Sequence, residues 1–528
     1  MLDLSPEEVI ERTASMPRSR AAFVSAMMHT HDRLVRTRDS HFQQLVDDFD
    51  RIRNTVFEVP ASLRSVMRPY QVAGYSWLRM LASAGFGGIL ADDMGLGKTL
   101  QMLSALLAMR EEGATDPFLI ICPASLVYNW REEIRRFTPT LSCTTLTGSA
   151  AVREQMLRDL QEGNNPTDIY IASYDVVRRD ISLLQPIQFH VIVLDEAQYI
   201  KTTKANITKA VKILKGTHRF ALTGTPIENR LSELWSIFDF LMPGFLFSAD
   251  TFRSRYDVPI TQMKDESVTE LLAHMTAPFI MRRLKSDVLR ELPEKLEEIR
   301  TAVFDDEQRR LYDAQVYVLR RQIETANTPQ ERFGILPELL KLRQICCDPS
   351  LLFEDYHGES AKRAACLDLI ESAIDSGHRI LLFSQFTSML DLLGADLKAA
   401  GIPFYLLTGS TTKEQRLQLV HDFNLGDTPV FLISLKAGGT GLNLIGADVV
   451  IHYDPWWNLA AQNQATDRAH RIGQTRQVTV FKLIAAGTIE ERIIQMQEAK
   501  KDLADAILEG RSESLLSMSH EEMLALLT

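Results

Sequence analysis

Residues 88–99 read Gly88-Ile89-Leu90-Ala91-Asp92-Asp93-Met94-Gly95-Leu96-Gly97-Lys98-Thr99, and the chain on either side is arranged around them. The apolar start reads as a strand, and Leu100, Leu103, Leu106 and Leu107 follow at helical spacing. Strand, glycine loop and helix form the setting in which a Lys-Thr pair becomes a phosphate site. Glycines let backbone N–H groups turn inward around phosphate oxygens, and the helix N-terminus adds positive potential. There Lys98 would reach the β and γ phosphates, and the Thr99 hydroxyl would sit on Mg2+. The strict pattern GxxxxGK[ST] is missed at one place, because Asp92 stands where the first glycine belongs. Read alone, the stretch leaves a second possibility open, a glycine turn before a surface lysine.

Three further apolar runs in the first half end in polar turns. Phe118–Cys122 stops at Pro123-Ala124-Ser125, Ile169–Ala172 at Ser173-Tyr174-Asp175, and Val191–Leu194 at Asp195-Glu196-Ala197-Gln198. Unbroken apolar runs separated by helical patterns predict a parallel sheet covered on both faces, with ligands at the carboxyl ends of the strands. Asp195-Glu196 falls at such an end. Asp195 is expected to hold Mg2+ through its water shell, and Glu196 to orient and deprotonate an attacking water. A phosphate loop followed by this acidic pair points to nucleotide hydrolysis. Phe220-Ala221-Leu222-Thr223-Gly224-Thr225-Pro226 is either a polar turn or a reporter of γ-phosphate status, and the residues leave both open. Arg68-Pro69-Tyr70-Gln71 is likewise either a helix start or an adenine sensor, the Gln71 amide offering donor and acceptor.

From about Ile227 to Phe353 the strand pattern stops, and helical spacing predicts a long helical insertion. Its basic cluster, Arg282-Arg283-Leu284-Lys285, reads as a solvated face or a contact to backbone phosphate. A second α/β segment begins near Ser360, with runs at 380–383, 405–407, 430–433 and 449–452 and no Lys-Thr loop. It carries Gln464-Ala465-Thr466-Asp467-Arg468-Ala469-His470-Arg471-Ile472-Gly473-Gln474. Arg468 and Arg471 share a face if the segment is helical. Beside a hydrolytic site they read as arginine fingers; alone, as a basic helix surface.

At 528 residues the chain has room for about two to four domains, and its 45% apolar and 24% charged composition is that of a globular protein. No apolar stretch approaches the roughly 18 residues of a membrane span, and the first residues lack signal-peptide character. The five cysteines have no CxxC spacing and read as reduced thiols of an intracellular protein without zinc. The net charge of -11 decides nothing about nucleic acid, since a groove needs only local positive potential.

The motifs as a set resemble the Swi/Snf-type ATPases of helicase superfamily two. The matching stretches are MRPYQ (67–71), DDMGLGKTLQ (92–101), ICPASLVYNW (121–130), DEAQ (195–198), LTGTP (222–226), LLFSQF (381–386), SLKAGGTGLNL (434–444) and QATDRAHRIGQ (464–474), in family order over roughly residues 60 to 495. Asp92 is how this family writes its loop. The resemblance implies an α/β fold with two RecA-like parallel-sheet lobes, a helical insertion between them, and helical N- and C-terminal extensions. The expected boundaries are 1–55 for the N-terminal extension, 56–240 for the first lobe, 241–358 for the insertion, 359–485 for the second lobe and 486–528 for a C-terminal brace.

It further implies ATP and Mg2+ as cofactors and ATP-driven translocation on double-stranded DNA, remodelling or displacing DNA-bound proteins such as RNA polymerase. Arg68, Gln71, Asp93, Met94, Gly95, Leu96, Gly97, Lys98, Thr99, Gly441 and Gln464 would bind nucleotide, with Thr99 and Asp195 at the metal. Lys98, Asp195, Glu196, Arg468 and Arg471 would carry catalysis. Ser125, Asn129, Tyr174, Ser384, Gln385, Thr408 and Thr440 would contact DNA phosphates without reading sequence, and Trp457 would rest at the groove. Gln198 departs from the histidine of the DEAH form, and Leu459 from the proline that usually follows Trp-Asn. No histone-reading module is visible. A bacterial member, cytoplasmic and nucleoid-associated rather than nuclear, with no membrane, fits this form. The alternatives are a strand-separating helicase, a motor subunit of a restriction, phage-defence, transcription or repair complex, and a non-hydrolysing scaffold.

Overall fold

The structure is a computed structural model that describes residues 51–52, 55–164, 167–202, 205–224, 231–289, 295–325, 335–438, 442–456, 459–471 and 473–495. The N-terminal extension, apart from its last residues, and the end of the C-terminal brace lie outside that set. The chain forms two compact units whose main division falls between Arg283 and Leu284.

The first unit holds seven strands: β1 (Gly88–Leu90), β2 (Phe118–Cys122), β3 (Cys143–Thr145), β4 (Ile169–Ser173), β5 (Gln188–Asp195), β6 (Lys215–Leu222) and β7 (Ile280–Met281). Their order is β3-β4-β2-β5-β6-β1-β7, and every pairing is parallel. Helices α1 (Pro69–Ser83), α2 (Lys98–Glu111), α3 (Val127–Phe137) and α4 (Leu231–Leu241) are among those that cover it. Pro69 opens α1, where a missing N–H costs no hydrogen bond. Helix α3 buries Val127, Trp130 and Ile134 along one stripe and ends in Arg135 and Arg136, which suit the negative end of its dipole. Residues 100–109 of α2 are all buried, so this helix is enclosed by the core rather than laid on it.

The second unit holds β8 (Lys295–Ala302), β9 (Ile380–Ser384), β10 (Phe404–Leu407), β11 (Val430–Ser434), β12 (Val449–His452) and β13 (Val478–Ala485). They run β10-β11-β9-β12-β13-β8, again all parallel. Along β9, Ile380 and Leu382 enter one hydrophobic cluster while Leu381 and Phe383 enter another. Alternate side chains therefore meet a core on each face, which is why the run carries no polar residue.

The stretch 241–358, expected to be helical throughout, gives one strand to each sheet. β7 is two residues long, too short for any periodicity to show. β8 reads Lys-Leu-Glu-Glu-Ile-Arg-Thr-Ala and lies at a sheet edge with six exposed positions, so it lacks the apolar run of a central strand. After it, α5 (Asp306–Thr325) and α6 (Ile335–Cys347) pack with Ile489 and Ile493 in a separate cluster. Lys362, on α7 (Ala361–Asp375), forms a fully buried ion pair with Glu490 at 2.6 Å and ties residues beyond β13 to the unit. Removing one partner of such a pair costs roughly 3–5 kcal/mol.

Candidate active site

The order of the first sheet sets β1, β6 and β5 side by side, and their register places Leu90, Leu222 and Asp195 level with one another. In a parallel sheet all three strands end on the same side. The loop after β1, Thr223 after β6 and the acidic pair closing β5 thus converge within about two strand spacings, roughly 10 Å.

The phosphate loop turns on Gly95 and Gly97, at φ +84 and +79. Gly97 is the N-cap of α2, which begins at Lys98, so Thr99 stands in the first helical turn. A Cβ at Gly97 would lie 2.4 Å from the Gln71 amide nitrogen, so that side chain sits directly on the loop. The Gln71 carbonyl oxygen accepts from the Arg68 backbone N–H at 2.9 Å. Part of the acceptor capacity expected to face a base therefore caps α1. The Lys98 ammonium donates to the Asp92 carbonyl at 2.5 Å. Leu96 is fully buried, while Asp93 and Met94 are half-buried.

Glu196 adopts a left-handed backbone, φ +52, which costs a residue with a Cβ of order 1–3 kcal/mol and is typical of functional turns. Asp195 is held from three directions. The Trp130 indole donates to its Oδ2 at 2.8 Å, the Glu196 N–H to its Oδ1 at 3.0 Å, and the Tyr174 hydroxyl to its main-chain oxygen at 2.8 Å. Burial, followed by the charge of Glu196, pushes the Asp195 carboxyl up to about 7, against the indole and the Lys98 ammonium. Two neighbouring carboxylates, hard oxygen donors, with the Thr99 hydroxyl on the same unit, fit a divalent cation such as Mg2+. Gln198 completes the set: its amide donates to Glu196 Oε2 at 2.8 Å, and its carbonyl accepts from Thr223 Oγ1 at 3.0 Å. The turn after β6 is thereby wired to the acidic pair.

In the second unit the expected helix stops early. Helix α8 (Leu459–Thr466), which carries the half-buried Gln464, ends before either arginine, so Arg468 and Arg471 lie in turns rather than on one helical face. Three carbonyls, of Ile445, Ala447 and Ala469, accept from the Gln474 amide and hold those turns. Lys285 donates to Asp467 Oδ1 at 2.6 Å and to the His470 carbonyl at 2.5 Å, on either side of Arg468. Burial lowers the pKa of its ammonium and Asp467 opposes that. The cluster 282–285 is therefore not a solvated basic face at Arg283 or Lys285; only Arg282 and Leu284 are exposed.

Several residues expected at DNA make hydrogen bonds within the protein. Tyr174 is buried against Asp195 and stacks on Tyr199 at 5.0 Å, and burial raises its phenol pKa further above its usual range. Ser384 is fully buried and donates to Asp454 Oδ1 at 2.6 Å. Gln385 donates to Asp454 Oδ2 at 2.6 Å and accepts from Arg343 at 3.0 Å. The buried Asp454 carboxylate thus joins the buried Ser384 and the half-buried Gln385 in one hydrogen-bond network. Asn129 is exposed, and Ser125 and Thr408 are half-buried. Gly441, Thr440 and Trp457 lie outside the described residues. The sequence reading gave no role to Trp130, whose spacing with Val127 and Ile134 is that of a core residue, nor to Arg343 or Asp454.

Fold and site together define an α/β protein of two parallel sheets, with a glycine loop before a Lys-Thr pair and an acidic pair at neighbouring strand ends. Residues 70–351 match the SNF2-related domain and residues 361–473 the helicase conserved C-terminal domain. The chain belongs to the SNF2-related family. An uncharacterized ATP-dependent helicase of Mycoplasma genitalium is 41% identical over 87% of this chain and 44% of its own length. YwqA of Bacillus subtilis, named as a candidate ATP-dependent helicase/translocase, is 40% identical over 89% and 52%. A mouse SWI/SNF-related regulator of chromatin, subfamily A member 1, is 34% identical over 99% and 52%. The chain spans about half the length of these curated relatives. A solved Sulfolobus solfataricus SWI2/SNF2 ATPase core in complex with dsDNA is 37% identical, covers 89% of this chain and 99% of its own, and has a TM-score of 0.45. No helix among the described residues is long and apolar enough to cross a membrane.

Proposed function

We propose that this chain is a DNA-stimulated ATPase that translocates on double-stranded DNA and displaces or remodels proteins bound there. The observation that carries the reading is the convergence of the loop that leads to Lys98, Asp195-Glu196 and Thr223 at neighbouring strand ends, with Glu196 and Thr223 joined through Gln198. Lys98 and the N–H groups of the loop bind the phosphates. Thr99 and Asp195 would hold Mg2+, which when bound would neutralise phosphate charge. Glu196 orients water and takes its proton, and the Gln198 amide fixes its carboxylate. Arg468 and Arg471 supply positive charge to the transferring phosphoryl group, a contribution of about 10³–10⁵ where an arginine finger has been dissected. Among the described residues, Asn129, which is exposed, and Ser125, Gln385 and Thr408, which are half-buried, are the accessible candidates for backbone phosphate contacts. The helicase and translocase names of the bacterial relatives favour a nucleic-acid track, and a cytoplasmic, nucleoid-associated setting goes with it.

The test is ATP hydrolysis with and without duplex DNA, beside single-stranded DNA and a Glu196→Gln control, at low salt, where phosphate contacts are strongest. Stimulation by duplex, absent in the variant, is expected. Hydrolysis indifferent to duplex would overturn the DNA-motor reading.

A further inference from the structure

Asp92 stands where an ordinary phosphate loop has glycine, and it is completely buried. Arg283, which follows β7, donates from Nε to Asp92 Oδ1 at 2.8 Å and from Nη2 to Oδ2. The same Nη2 donates to Gln101 Oε1 at 2.6 Å, and Nη1 donates to the Tyr70 carbonyl. The Gln101 amide returns to Asp92 Oδ2 at 3.1 Å. Space for this comes from Gly74, where a Cβ would lie 1.8 Å from Gln101 Oε1 and 2.7 Å from Arg283 Nη2. One guanidinium thus joins the start of α1, the loop and α2, and β7 brings it there by pairing with β1, whose next residue, Ala91, donates to the Met281 carbonyl at 2.7 Å.

We infer that Arg283 is a positioning residue for nucleotide binding: paired with Asp92, it sets the phosphate loop against the Gln71 segment of α1. This rests on the ATPase reading. Its consequence is that restoring the ordinary glycine at position 92 harms the site while Arg283 is present, because a largely buried guanidinium then loses its counter-charge.

The experiment measures binding of a fluorescent ADP analogue, together with ATP KM and kcat, for the full chain and for Asp92→Gly, Arg283→Met and the double variant. Each single change is expected to weaken the analogue tenfold or more and to raise KM more than it lowers kcat. The double variant, freed of the uncompensated charge, should regain affinity to within about threefold of wild type. Thermal midpoints without nucleotide separate loop positioning from general unfolding. Singles that bind like wild type, or a double variant as weak as the product of the singles, would overturn the inference. A wild-type chain that binds no analogue would instead overturn the ATPase reading, and this inference with it.

Discussion

The indole N–H of Trp130 lies 2.8 Å from Oδ2 of Asp195, across 65 positions of sequence. It is the side-chain donor that most favours the charged form of a carboxyl which burial otherwise pushes up to about 7. Trp130→Phe keeps the ring in the core and removes that donor. A hydrogen bond to a charged group contributes roughly 1.5–3 kcal/mol. The expected result is a rise of about tenfold or more in the Mg2+ concentration that half-saturates hydrolysis, read from Mg2+ titrations at saturating ATP. An unchanged titration would remove Trp130 from the site.

Gln198 couples two turns that end neighbouring strands. Gln198→Ala should lower kcat by about tenfold to a hundredfold while ATP KM changes less than threefold, since the amide touches Glu196, the proposed water-orienting group, and Thr223. Thr223→Val should reproduce part of this loss. The double variant should be little worse than Gln198→Ala, because both act through one chain of hydrogen bonds. Steady-state kinetics on the three variants decides it.

Lys98→Ala, Glu196→Gln and Arg471→Ala should each abolish turnover by a separate route. The first is expected to lose nucleotide affinity. The second should bind ATP and fail to hydrolyse it, and the third should bind ATP and lose about 10³-fold or more in rate. Equilibrium binding beside single-turnover hydrolysis separates the three, and robust hydrolysis in all of them would dismantle the assignment.

His452 is expected to make the second unit sensitive to acid. It is buried, its Nε2 lies 2.8 Å from Thr466 Oγ1, and its Nδ1 has no hydrogen-bond partner among the described residues. Burial lowers its pKa to about 3, below the roughly 6.5 of an unfolded chain. A lowered folded pKa means stability is fully present above about 6.5 and is lost as pH falls towards 3, a loss of about 2 kcal/mol at pH 5. Denaturation at pH 7.5 and pH 5 should show this for wild type and a smaller change for His452→Gln. Equal acid sensitivity would place its source elsewhere.

The sequence by itself determined what short-range physics encodes. Unbroken apolar runs such as Ile380–Phe383 announce strands covered on both faces, and Gly95, Gly97 and Lys98 between a strand and a helix announce a phosphate loop. Asp195-Glu196 at a strand end was legible for the same reason, and so was the family. The tertiary structure decided which strand ends are neighbours. No local period states that β6 pairs with β5 or that β1 lies between β6 and β7, yet the first pairing brings Thr223 to Gln198 and the second carries Arg283 to Asp92 across 191 positions. It also decided which polar side chains face inward. Tyr174 and Ser384 look like surface contacts in a linear reading. In the fold the Tyr174 hydroxyl donates to the main-chain oxygen of Asp195 and Ser384 to the Asp454 carboxylate, because a buried hydroxyl is most stable when hydrogen-bonded.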